Sequence, residues 1–197
     1  MGEGEVVVVT VGDEEAEAAL RRCLAMGADR AIRVAAETRD PISTARALAG
    51  AVTTESPNLV LTGVQSADSV QGSTGAALAE LAGLPRVAVV TRIEWSGTGA
   101  ATVDRELEGG LVDVVEVDTP ALLTIQTGTN TPRYANLRAI KQAEQQEIAV
   151  VQADPGEPAY RVRRMFAPPR GEGAELLNGS PAAVAQRILE LVQERLA

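Results

Sequence analysis

The chain has no histidine, one cysteine and one lysine, and aromatics make up only 2% of its 197 residues. Without histidine there is no Ser/His/Asp triad, and the commonest acid–base side chain and most zinc-site designs are gone. A single cysteine, Cys23, excludes an intramolecular disulfide framework and any cysteine cluster for iron–sulfur or zinc ligation. Placed inside an expected helix, it reads as a small packing residue rather than a reactive thiol. With so few aromatics the core must be built from Ala, Val, Leu and Ile, and stacking platforms for nucleic acid are missing. No run of about eighteen apolar residues occurs, and the N-terminus lacks a basic segment followed by an apolar one. The expectation is a cytoplasmic chain with no direct membrane insertion.

What is present is acidic. Asp and Glu number 27 against 18 Lys and Arg, for a net charge of -9. Such a surface disfavours nucleic acid and anionic membranes as partners. It suits a salt-rich cytoplasm, where screening relieves self-repulsion, the halophilic type of surface.

Residues 5–11 (EVVVVTV) form a β-branched apolar run, the pattern of a strand covered on both faces. Gly12 and Asp13 turn the chain into a helix over 14–26. Early acids Asp13, Glu14 and Glu15 and late Arg21 and Arg22 complement its dipole, and Gly27 caps it. Strands at 31–34, 58–62 and 86–92 alternate with helices starting at Pro41 or Ser43 and near Gly72, which predicts a mostly parallel α/β sheet. Beyond Ile93 the pattern changes. Residues 102–107 and 111–117 flank Glu108-Gly109-Gly110 as a hairpin, with Trp95 as a loop anchor against it. A strand over 120–125, a helix over 136–145 and a short strand over 147–151 follow. Pro155, Gly156 and Pro158 break the chain, so residues 1–153 are expected as one α/β domain and 154–197 as an arm. The arm carries Arg161, Arg163 and Arg164, and Ser180 with Pro181 starts its terminal helix.

One stretch points to chemistry. Residues 59–85 read as a strand, an Asp-bearing loop and a glycine-rich turn opening a small-residue helix. Ligands of open α/β sheets sit at the carboxyl ends of strands. Gly72 and Gly75 permit close backbone approach, while Ser73 and Thr74 add hydroxyls beside free helical N–H groups, a setting for phosphate. Asp68 cannot usefully face a phosphate directly; a ribose hydroxyl, a metal or the loop backbone would be its partner. Gly12, after the first strand, would form the other wall of the crevice. The competing reading is that Gly72 and Gly75 only shape a tight turn. A second cluster, Asn130, Arg133 and Tyr134 around the stiff Pro132, suits an interface or an anionic ligand, or an arginine that ties down its own loop.

Four places together resemble the beta subunits of electron transfer flavoproteins, including the FixA-type proteins. They are residues 24–30 (LAMGADR); 63–75 followed by Gly83-Leu84-Pro85; 120–124 (PALLT) leading to Asn130-Thr131-Pro132-Arg133-Tyr134; and Pro168-Pro169-Arg170 before a terminal helix. The resemblance implies an open, mostly parallel sheet of the adenine-nucleotide alpha-hydrolase-like type, with a hairpin addition and a C-terminal arm ending in a helix. It implies an electron-transfer subunit rather than an enzyme, paired with an alpha subunit that holds most of the FAD. The beta subunit itself would hold AMP, or a second FAD in bifurcating members. The nucleotide candidates are then Gly12, Gly63, Asp68, Gln71, Gly72, Ser73, Thr74 and Gly75, with Asn130, Arg133 and Tyr134 at the interface. The alternative is a stand-alone adenine-nucleotide-binding or regulatory module.

The likeness has departures. Members of the family usually begin with a further strand, loop and helix ahead of the position matching Glu5, so an N-terminally shortened, divergent member with exposed strand edges is expected. The loop Gln126-Thr127-Gly128-Thr129 lacks the apolar docking residues of the family, so acyl-CoA dehydrogenase-type recognition is not expected. The redox partner, a dehydrogenase or a quinone oxidoreductase, is left open. The family's lysine-rich segment is acidic overall at 141–147.

Overall fold

The computed structural model describes residues 4–95, 99–167, 169, 173, 174 and 176–196. The first half of the chain alternates β1 (Val7–Val11), α1 (Glu17–Ala25), β2 (Arg30–Ala35), α2 (Pro41–Glu55), β3 (Leu59–Gly63) and α3 (Thr74–Ala82). The second half runs β4 (Arg86–Trp95), β5 (Ala100–Glu106), β6 (Val112–Asp118), β7 (Ala121–Ile125), α4 (Leu137–Gln145), β8 (Ile148–Gln152) and α5 (Pro181–Leu196).

The α/β class holds and parallel pairing dominates, but the expected single sheet is two. One has the order β1-β2-β8 and is parallel throughout. The other has the order β3-β7-β4-β5-β6, with β3, β7 and β4 parallel and β5 and β6 added antiparallel. The division falls where α2 carries the chain from β2 to β3. Among the described residues β1 and β3 form no ladder with each other, so each is an edge strand. Helix α2 packs over both sheets. It touches β1 and β2 on one side, and on the other its Ala45 and Val52 join Leu78 and Leu122 in one buried cluster.

Two further departures are local. The strand expected over 86–92 continues to Trp95 and pairs with β5, so the antiparallel part is a three-stranded meander rather than one hairpin. Trp95 is half-exposed at its end, and Ser96 and Gly97 lie outside the described residues. The helix expected over 14–26 begins as a 3-10 turn, Glu14–Ala16, because the Asp13 carboxylate accepts the Glu15 N–H at 3.0 Å. Gly27, at φ +104°, follows its C-cap Met26, as the sequence suggests. Arg21, expected to serve its own helix, reaches α4 instead and donates to the Ala143 carbonyl at 2.7 Å. That bond closes a small core of Leu20, Leu24, Ala31 and Ala143. Cys23 is half-buried on α1.

The aliphatic core demanded by the lack of aromatics is observed. Val87, Val90, Ala101, Val103, Val117, Ala121 and Leu123 fill the inside of the five-stranded sheet.

The described chain divides into a unit Met1–Arg161 and a second, Val162–Ala197. In the second, the Arg164 guanidinium stacks 4.8 Å from the Phe166 ring centroid. Ser180 caps α5 by accepting the Ala183 N–H, and no residue of α5 is buried. Pro168 and Arg170 lie outside the described residues. Among the described residues no helix is long and apolar enough to cross a membrane.

Candidate functional site

The parallel strands β3 and β7 end side by side at Gly63 and Ile125. The loop after β3 rises from this edge and returns as α3, so the helix N-terminus faces the carboxyl ends of the strands. How the helices begin separates α3 from its neighbours. Asp40 caps α2 with a full capping box, accepting N–H bonds from Ile42 and Ser43 at 2.9 and 3.0 Å. Asn136 caps α4 through Ala139 at 2.9 Å. Helix α3 starts at Ser73 with no side-chain cap. Its first-turn N–H groups therefore lack a side-chain partner at the positive end of the helix dipole.

Beneath that turn the packing is close. A Cβ on Gly75 would lie 2.5 Å from Thr62 Oγ1 and 2.8 Å from Thr124 Cγ2. Gly75 is buried, and its lack of a side chain lets α3 sit down on β3 and β7. The Thr62 hydroxyl next to it is buried and has no hydrogen-bond partner. Thr124 accepts the Val89 N–H at 3.0 Å. Val89 has φ +61° and sits in the register shift of β4 between Val87 and Val90. A β-branched residue in the left-handed region costs about 1–3 kcal/mol, and such strain gathers at functional sites.

The loop itself is exposed and carries a second strained valine, Val70 at φ +53°. Gly72, at φ +59°, needs to be glycine for its conformation; a Cβ there would meet only ordinary contacts, 3.5 Å from the Val64 carbonyl. Gly63 has open space over it. Ser73 and Thr74 are half-buried at the start of α3. Asp68 caps the loop backbone, its Oδ1 accepting the Ser69 N–H at 2.6 Å. The Ser66 hydroxyl and then the Ser69 N–H hold its carboxyl below the usual range, so it is a stable negative charge. Gln71 accepts the Tyr160 hydroxyl at its Oε1.

Gly12 follows β1 of the three-stranded sheet. At the end of β1 it donates to the Val34 carbonyl at 3.0 Å and accepts from Arg33 at 3.3 Å, while Arg33 also pairs with Glu17 at 3.0 Å. It lines an open cleft with Val11, Asp13, Ala16, Arg33 and residues 35–38, and that lining includes no residue of the 65–75 loop. Gly63, Asp68, Gln71, Gly72, Ser73, Thr74 and Gly75 run from the end of β3 into α3, while Gly12 follows β1 of the other sheet.

Asn130, Arg133 and Tyr134 form a third place. The Arg133 Nη2 lies 3.8 Å from where a Gly27 Cβ would sit, at the end of α1. Two of the sequence motifs therefore meet there, LAMGADR and NTPRY. Asn130 and Arg133 are exposed, and Tyr134 is 98% exposed. Sequence reasoning missed Thr62, Val89, Thr124 and Tyr160 as neighbours of the loop. Only Thr62 and Thr124, each near the carboxyl end of an apolar strand, carried a signal that could have been used.

The electron transfer flavoprotein domain family matches residues 1–155. The beta subunit of the electron transfer flavoprotein of Methylophilus methylotrophus is 43% identical over 204 residues, spanning 96% of this chain and 77% of its own. That of Syntrophomonas wolfei is 35% identical over 187 residues, spanning 94% and 73%. That of Bacillus subtilis is 33% identical over 201 residues, spanning 96% and 77%. The chain belongs to the electron transfer flavoprotein beta subunit family.

Proposed function

We propose that this beta subunit binds AMP on the 65–75 loop and the first turn of α3, and scaffolds an alpha subunit that carries the FAD. When bound, the flavin supplies the electron transfer; this chain's residues hold the nucleotide and the partner. The observation that carries the nucleotide reading is the uncapped start of α3, set over the unpartnered Thr62 hydroxyl at the carboxyl ends of β3 and β7. An uncapped helix start suits a group rich in hydrogen-bond acceptors. Residues 64–79 contain no Lys or Arg. The phosphate would therefore be held by N–H groups and the helix dipole, with the Ser73 and Thr74 hydroxyls beside them. Asp68, ionised and turned to its own loop, would shape the site without touching the phosphate. Arg133, beside the end of α1, and the exposed Tyr134 would face the alpha subunit, as would the apolar face of α5.

Calorimetric titration of the nucleotide-stripped heterodimer tests the phosphate contact. AMP is expected to bind at least about tenfold tighter than adenosine, the scale of charge-assisted hydrogen bonds. Equal affinity for the two would contradict a phosphate at α3.

A further inference from the structure

The chain leaving β8 is strapped down before the second unit begins. Asp154 Oδ1 accepts the Gly156 N–H at 2.9 Å and turns the chain. Arg46, on α2, donates to the Glu157 carbonyl at 2.9 Å, and Asp40 Oδ2 accepts the Ala159 N–H at 3.2 Å. Asp40 is only 5% exposed and its other oxygen caps α2, so the strap hangs from a fixed, buried group. The next residue is Tyr160, whose hydroxyl donates to Gln71 in the loop.

The loop needs such a tie. Its own side-chain bonds are local, from Ser66 to Ser69 and from the Ser69 N–H to Asp68. Among the described residues, the Tyr160–Gln71 bond is the one side-chain hydrogen bond joining residues 64–73 to another element. Between Gln71 and the local bonds stands Val70 in a strained conformation, and after Gln71 comes Gly72 at positive φ. A loop with two left-handed residues and few ties opens readily on its own.

We propose that Tyr160 is a positioning residue for the nucleotide loop: anchored through Asp40 and Arg46, it holds Gln71 and with it the turn that leads into α3. The proposal rests on reading residues 65–75 as the AMP site. Tyr160 does not touch the ligand; it acts through Gln71. The hydroxyl is the working group, so Tyr160→Phe removes the bond and keeps the ring.

Hydrogen exchange and AMP titration on the full-length protein test this. In Tyr160→Phe without nucleotide, exchange across residues 64–73 is expected to speed up by about threefold to tenfold, the size of one lost hydrogen bond. Exchange in α2 and the melting temperature are expected to stay as in the wild type, and AMP affinity to fall by a similar factor. Gln71→Leu is expected to do the same, and the double variant no more than either single one. Unchanged loop exchange in Tyr160→Phe, additive effects in the double variant, or faster exchange with unchanged AMP affinity would each overturn the proposal. Should the wild type bind no AMP, the nucleotide reading fails by itself. Loop exchange then decides the positioning role, faster supporting it and unchanged overturning it.

Discussion

Gly75 shows how a residue legible as a ligand contact can have a different first duty. The sequence places it in a glycine-rich turn, where two readings compete, close ligand approach and a simple tight turn. The structure adds a third, contact between helix and sheet. Gly75→Ala would push a methyl to within 2.5 Å of Thr62 Oγ1, a side chain held on a strand. The variant is expected to lose about 1–3 kcal/mol in urea unfolding, as overpacking does. A loss within about 0.5 kcal/mol would mean that α3 is free to shift. Asp40 gives a residue-scale pH prediction. Burial pushes its carboxyl up, but hydrogen bonds from Ser43, Ala159 and Ile42 outweigh burial and hold it below the usual carboxylate range. A carboxylate with a lowered folded pKa stabilises the fold above its unfolded pKa, and that stability is lost as pH falls through the folded value. Urea midpoints are therefore expected to drop below about pH 4 in the wild type, and less steeply in Asp40→Asn. Equal slopes would show that Asp40 is not a coupled group.

At the scale of elements, most strands and helices were legible because their signals are local. The apolar run before Gly12, Pro41 at the start of α2, Gly83 after α3, and Ser180-Pro181 before α5 each state a boundary in adjacent residues. What was not legible depends on pairing. Nothing near Val7–Val11 or Leu59–Gly63 says that the two strands belong to different sheets. The bulge at Val89 is likewise invisible in VAVVTR, since the bond that fixes it comes from Thr124 on β7. The same limit explains the site. The loop and the start of α3 were readable as one segment, whereas Thr62, Thr124 and Tyr160 reach it from other elements. The elements also set the electrostatics. With no basic side chain from 64 to 79, AMP affinity is expected to change less than about threefold between low and ~0.5 M salt, because fixed N–H donors at short range are little screened. A steep fall with salt, measured by titration, would show that arginines from elsewhere hold the phosphate.

The whole molecule carries a net charge of -9 and an aliphatic core, and Tyr134 stands 98% exposed on its surface. The second unit, with an α5 that buries nothing of its own, offers Ile188, Leu189 and Val192. These features describe a chain built to be completed by another, consistent with a family whose members are called subunits. The exposed apolar residues were readable only as a pattern in need of cover.

We propose AMP on the 65–75 loop of this subunit and FAD held mainly by its partner. Nucleotide extracted from the purified heterodimer, and quantified against flavin in the wild type and in Gly72→Val, tests it most directly. A β-branched residue at φ +59° would distort the turn into α3. AMP is expected in stoichiometric amount with FAD in the wild type, and lost with FAD retained in Gly72→Val. Wild-type heterodimer that carries FAD but no AMP, or a Gly72→Val variant that keeps its AMP, would contradict it.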